Sequence, residues 1–142
     1  MDAPGRPRPV LIVLDEAHSF CPPTAETLLA VAVRDRLIQI AAEERKYGLW
    51  LLLSTQRPSK IHPGVLTQCD NLTLMRMNAP ADLEDLADVF GFVPRQLLGR
   101  ASRFVLGEAL LAGGFVPLPT VVKMRDRVTP EGGVDVPVPL AD

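Results

Sequence analysis

A chain of 142 residues, 47% hydrophobic and 23% charged, has room for one core and is too apolar to be disordered. Its net charge of −2 leaves no basic arm, so any contact with nucleic acid is local and not driven by overall charge. Cys21 and Cys69 stand in no CxxC or His-paired spacing and read as two buried, reduced thiols, and no apolar run reaches the length of a membrane span.

Met1–Pro9 is rich in Pro and Arg, lacks the apolar core of a signal peptide, and reads as an extended segment of a cytoplasmic protein. Val10–Leu14 follows. Five β-branched or leucine residues without alternation predict a strand buried on both faces, the kind found in parallel sheets covered by helices. Asp15 and Glu16 stand where that strand ends, and open α/β sheets bind ligands beyond the carboxyl ends of their strands. A buried strand that delivers two acids to a rim suits a nucleotide site. Asp15 would hold Mg²⁺, directly or through water, and Glu16 would polarise the water that attacks a γ-phosphate. The competing reading is a core strand that ends in solvated acids.

Ser19–Pro23 is a loop, because Pro22 and Pro23 cannot sit inside a helix. Thr24 is placed to cap a helix running from Ala25 to Tyr47, with Leu29, Val33, Leu37, Ile40, Ala41 and Glu44 near one stripe and Gly48 as its stop. Arg45 and Lys46 fall in its last turn, where positive charge suits the helix dipole. Leu49–Leu53 is a second unbroken apolar run, so strand, helix and strand make a βαβ unit. Ser54–Ser59 then collects polar groups at the end of the second strand, beside Asp15 and Glu16 if the two strands are neighbours.

Further on, Ile61–Cys69 contains a short helix opened by Pro63, and Asn71–Met77 reads as a third strand. Asn78 is placed to cap a helix from Pro80 to Phe90, whose Asp82, Glu84, Asp85 and Asp88 read as a solvated face. Pro94–Leu98 is a helical turn. Phe104–Leu111 and Thr120–Met124 read as two late strands joined through Gly113 and Gly114. The expected organisation is an extended segment over 1–9, one α/β domain over 10–127 and a Pro/Gly-rich tail over 128–142.

With both polar rims in view, the chain resembles the HerA/FtsK group of P-loop ATPases, and HerA-type DNA translocases most closely. The matching stretches are Val10–His18, Glu44–Gly48, Ser54–Ser59, Val65–Asn71 and Gly107–Leu111, in the family's order and spacing across roughly Val10 to Arg127. The resemblance implies a RecA-like P-loop NTPase sheet of three layers with a late β-hairpin. It implies that Asp15 is the Walker B aspartate, Glu16 the catalytic glutamate and Gln56 the polar sensor on the next strand. Arg45 and Lys46 match a basic pair that would reach a nucleotide at a subunit boundary, with Arg45 acting on the transferring phosphoryl group. Arg57 would pin its loop, and Gly107 with Glu108 would belong to a late strand of structural role. His18 is open between coupling the site to DNA and a plain helix–loop hydrogen bond. For the whole motor the resemblance implies ATP and Mg²⁺, double-stranded DNA, a homo-hexameric ring and a nuclease partner.

One part of that pattern is missing. No GxxxxGK[ST] loop occurs in these residues, and that loop is the principal phosphate cradle. The resemblance therefore covers the second half of a motor domain, and this chain alone is expected not to hydrolyse ATP. In RecA-like sheets the P-loop strand lies between the sensor strand and a later one. Without it, Leu49–Leu53 is expected to have an open apolar edge. Two other readings stand beside this one. One is a catalytically silent interaction or regulatory remnant of such an ATPase. The other is a DEAH-type helicase, since Asp15–His18 spells that box, although Ser54–Gln56 replaces the downstream Ser-Ala-Thr expected there.

Overall fold

The computed structural model describes residues 8–126, 128 and 129, with nothing said of the side chains of Glu44 and Arg45. Most of the expected 1–9 segment and of the 128–142 tail lies outside the described residues. The order is β1 (Val10–Leu14), α1 (Leu28–Glu43), β2 (Leu49–Leu53), α2 (Pro63–Leu66), β3 (Asn71–Leu74), α3 (Pro80–Val89), α4 (Arg95–Leu98), β4 (Glu108–Gly113) and β5 (Thr120–Lys123). Tight 3-10 turns fill Ala17–Ser19, Glu44–Tyr47, Pro58–Lys60 and Gly99–Arg103.

β1 and β2 are parallel neighbours in register, Val10 opposite Leu49 through to Leu14 opposite Leu53, and α1 is the crossover between them. This is the expected βαβ unit. β3, β4 and β5 form a second, antiparallel sheet, with the late hairpin β4–β5 as expected. Gly113 is obligatory in it: at φ 115° an added Cβ would run into the Asp70 carbonyl oxygen.

Each sheet has its own core. Leu37, Val65, Leu66, Ile61, Ala17 and Cys21 pack under β1 and β2, with Leu14, Leu51 and Leu53 against them. Leu86 of α3 and Phe90 just past its end, with Leu98, Phe104, Leu74 and Leu110, form the core beside the antiparallel sheet. Val89 touches both. The Ser59 N–H donates to Asp82 Oδ1 at 3.1 Å, so one of the expected solvated acids instead ties α3 to the loop after β2. Burial pushes the Cys69 thiol up to about 11 and raises that of Cys21, so both free thiols stay protonated at neutral pH. Among the described residues no helix is long and apolar enough to cross a membrane.

Three expectations are corrected. β1 is not buried on both faces: Leu11 is 60% exposed and Val13 57%, and Trp50 and Leu52 of β2 stand out beside them. Period-two alternation turns Ile12, Leu14, Leu51 and Leu53 to the α1 side, while among the described residues no layer lies over the opposite face. The α1 stripe is likewise covered only in its second half, for Leu37 is buried but Leu29 is 75% exposed. The caps also differ. Thr27, not Thr24, accepts from the Ala30 N–H at 3.1 Å, because Pro22 and Pro23 delay the helix start. α3 begins at Pro80 after Ala79 with no side-chain cap, since proline at the first position removes an orphan donor that Asn78 would have served.

β1 ends in a sharp turn. Glu16 adopts φ 48° and ψ 48°, and it is the one non-glycine residue with positive φ among the described residues. That left-handed conformation costs an L-residue about 1–2 kcal/mol.

Three substitutions have expected outcomes in urea unfolding. Leu110→Ala, which empties a fully buried site, loses about 2–5 kcal/mol, whereas Leu11→Gln changes stability by less than about 0.5 kcal/mol and reduces self-association in light scattering. Glu16→Gly relieves the left-handed turn and raises stability by about 1 kcal/mol, seen as a higher midpoint at unchanged slope.

Candidate nucleotide site

The polar rim is built by the parallel pairing of β1 and β2. With Leu14 opposite Leu53, the residues that follow each strand meet at the same edge. The ladder then continues past both ends. The Ser54 N–H donates to the Leu14 carbonyl at 2.8 Å, and the Ala17 N–H donates to the Ser54 carbonyl at 2.9 Å. These two bonds hold the Asp15–Glu16 turn against the β2 tip.

Asp15 is exposed and its Oδ1 is held twice. Ser54 Oγ donates to it at 2.9 Å and the Glu16 N–H at 3.0 Å. Both bonds converge on one oxygen, so the exposed carboxylate is held through Oδ1. Glu16 sends its side chain to His18: Oε2 lies 3.3 Å from His18 Nδ1. The same ring nitrogen lies 3.1 Å from Thr55 Oγ1, and Thr55 Oγ1 also accepts from the Arg57 N–H at 3.0 Å. Of the two roles left open for His18, the loop hydrogen bond is what the geometry contains.

Beside this rim lies a cleft of about 1090 Å³, lined by all of β2 and all of β3. β2 pairs only with β1, and β3 only with β4, so the cleft separates two unpaired strand edges. The expected open apolar edge of Leu49–Leu53 is therefore present. Asp15, Glu16, Ser54, Thr55 and Gln56 line the same cleft at the carboxyl end of β2. A space of this size is at the top of the range for small-molecule pockets.

The structure thus brings Asp15, Glu16 and Gln56 together and leaves the basic pair elsewhere. Arg45 and Lys46 belong to the 3-10 turn before β2, at the amino end of the strands, and the Gly48 carbonyl there accepts from the Val10 N–H at 2.8 Å. Lys46 Nζ sits 5.1 Å from the centre of the Tyr47 ring. The Arg45 side chain lies outside what is described. Glu108 Oε2 accepts from the Val105 N–H at 3.0 Å, a local bond of structural character. Among the described residues no group of three His, Cys, Asp or Glu could hold a metal by itself. A single exposed carboxylate does suit Mg²⁺, which keeps most of its waters and takes one or two carboxylates with substrate phosphates. The contacts of His18 with Glu16 and Thr55 were not legible in the sequence, since Thr55 is 37 residues away; the adjacency of His18 to the two acids was the only signal.

No protein-family model matches the sequence. A probable DNA double-strand break repair helicase HerA of Methanocaldococcus jannaschii is 30% identical over 129 residues, which is 91% of this chain and 25% of that protein. The DNA double-strand break repair helicase HerA of Sulfurisphaera tokodaii is 30% identical over 116 residues, 82% of this chain and 23% of that protein. Among solved structures, the genome packaging NTPase B204 of Sulfolobus turreted icosahedral virus 2, in complex with ATP-gammaS, superposes with a TM-score of 0.59 at 18% identity. That match covers 78% of this chain and 50% of the viral one. B204, the DNA-packaging ATPase of Sulfolobus turreted icosahedral virus, gives 0.61 at 17% identity over 82% and 52%. The chain spans about a quarter of the length of the curated relatives and about half of the viral ATPases. In sequence the chain is thus similar to a segment of the HerA helicases, and in fold to a segment of the packaging ATPases.

Proposed function

We propose that this segment supplies the carboxylate and sensor side of an ATP site in a HerA-type DNA translocase. The observation that carries the reading is the convergence of Asp15, Glu16 and Gln56 on one end of a cleft walled by two unpaired strand edges. Asp15 would hold Mg²⁺, whose chemistry there is to neutralise charge on the phosphates. Glu16 polarises the attacking water, and Gln56 hydrogen-bonds the γ-phosphate or that water. The phosphate cradle comes from a P-loop strand seated between β2 and β3, followed by a helix over the bare face that carries Leu11, Val13, Trp50 and Leu52. The relatives named above are helicases of DNA break repair and packaging ATPases, which supports double-stranded DNA as the moved polymer.

Within this reading the full motor is a homo-hexamer, and Arg45 and Lys46 of one copy serve the nucleotide of the next. A nuclease partner in DNA end processing follows from the family alone. The silent-module alternative draws on the bare apolar face, but it leaves the convergence of the two acids and Gln56 without a purpose.

The test is DNA-stimulated ATP turnover by the native full-length protein and by the 142-residue chain alone. Glu16→Gln in the full-length protein lowers kcat by about 100-fold or more while ATP binding persists. The isolated chain shows no turnover above background. ATP hydrolysis by the isolated chain that is lost in Glu16→Gln would contradict the need for an added cradle. Full activity of the full-length Glu16→Gln protein would remove Glu16 from the chemistry.

A further inference from the structure

Glu16 presents its carboxylate in an unusual way. The side chain as a whole is 47% exposed, yet Oε2 is shut off from solvent and has no hydrogen bond of direct geometry. Its neighbour is His18 Nδ1 at 3.3 Å, on a ring that is only 22% exposed. A carboxylate oxygen withdrawn from water requires a donor. The same Nδ1 lies 3.1 Å from Thr55 Oγ1. If Nδ1 were bare, its lone pair would face that of Oε2. With the proton on Nδ1, the N–H is bonded to Oγ1 and its positive end lies beside Oε2 at 3.3 Å, so both contacts are attractive.

We propose that His18 is a positioning residue for Glu16, holding Oε2 through Nδ1–H so that Oε1 remains free for a water, and that Thr55 ties this arrangement to the β2 tip. The proposal rests on the reading of Glu16 as the water-polarising group and deepens it. Two constraints act on Glu16 together. The left-handed backbone at φ 48° sets the direction in which the side chain leaves the turn, and the ring fixes the carboxylate at its far end. A water-polarising carboxylate needs one oxygen fixed and one available, because misplacement by about 1 Å can cost 100-fold in rate.

Thr55 adds a connection. It precedes Gln56, and its Oγ1 also accepts from the Arg57 N–H at 3.0 Å, so it is part of the rigid hydrogen-bonding of the β2 tip. A shift of that tip when Gln56 meets a phosphate moves Thr55, and with it the ring and Oε2. The hydroxyl can still donate elsewhere, so the link works through position and not through proton transfer.

The experiment measures steady-state ATP turnover in the native full-length protein, with variants at the ring and at both of its partners. His18→Phe keeps the volume without a donor and lowers kcat by about 10- to 100-fold, with KM for ATP within about twofold of wild type. His18→Asn, whose amide N–H can reach the same oxygen, recovers most of that loss. Thr55→Val gives a smaller fall in kcat. His18→Phe added to Glu16→Gln costs nothing further, since the two act as one unit. Full kcat in His18→Phe beside a dead Glu16→Gln overturns the proposal and leaves the site reading standing. A loss in His18→Phe that His18→Asn does not recover, and that follows the unfolding midpoint, makes the ring a structural pin and overturns it as well. An active Glu16→Gln, or no ATP turnover by the wild-type protein, overturns both.

Discussion

The parallel ladder between β1 and β2 is the constraint on which the site depends. Its register sets Leu14 against Leu53, and every polar residue that matters follows one of those two leucines. A slip of β2 by a single residue would turn Leu51 and Leu53 to the other face and carry Ser54 away from Asp15. The core under α1 therefore fixes the rim. Burying those leucines in the core with Leu37, Ile38 and Val65 is what holds Asp15 beside Ser54 and His18 beside Thr55.

The same sheet is unfinished in two directions. Among the described residues β2 has one unpaired edge facing β3 across the cleft, and no layer of theirs covers the face bearing Leu11, Val13 and Leu52. These are neighbouring faults with one shape. An unpaired strand edge takes a strand, and a bare apolar sheet face takes a helix, so a single strand–helix unit satisfies both. The antiparallel sheet, by contrast, has its own filled core around Phe90, Leu98 and Leu110. The two halves meet through Val89 and the Ser59–Asp82 bond. Cys69, packed on the core of the antiparallel sheet, also bonds through Sγ to the Val65 carbonyl of the other core.

Local pattern made the elements legible. β1 and β2 match their expected bounds because an apolar run between polar residues has clear ends, and α2, α3 and the hairpin follow from Pro63, from helical spacing and from Gly113. What the pattern could not supply was the partner of each apolar face. Leu11 and Val13 read as buried because unbroken runs usually are, yet burial depends on a second layer that a strand's own letters do not encode. The caps at Thr24 and Asn78 failed for a related reason. Several residues near each helix start can cap, and the path of the chain around Pro22, Pro23 and Pro80 decides which one is needed. The meeting of Asp15, Glu16 and Gln56 was legible because it requires only that β1 and β2 be neighbours. The sharing of His18 between Glu16 and Thr55 required coordinates.

The placement of the basic pair adds a constraint on the proposed motor. Asp15 and Glu16 follow β1 at its carboxyl end, while Lys46 precedes β2 at its amino end. Five residues of strand rise about 17 Å, which exceeds the reach of a lysine or arginine side chain from one edge of the sheet to the other. Lys46 therefore stands at the opposite end of the strands from Asp15 and Glu16. The sequence pattern put this pair in the last turn of α1, but the helix ends at Glu43 with no basic residue in its last turn, and the pair belongs to the 3-10 turn that follows.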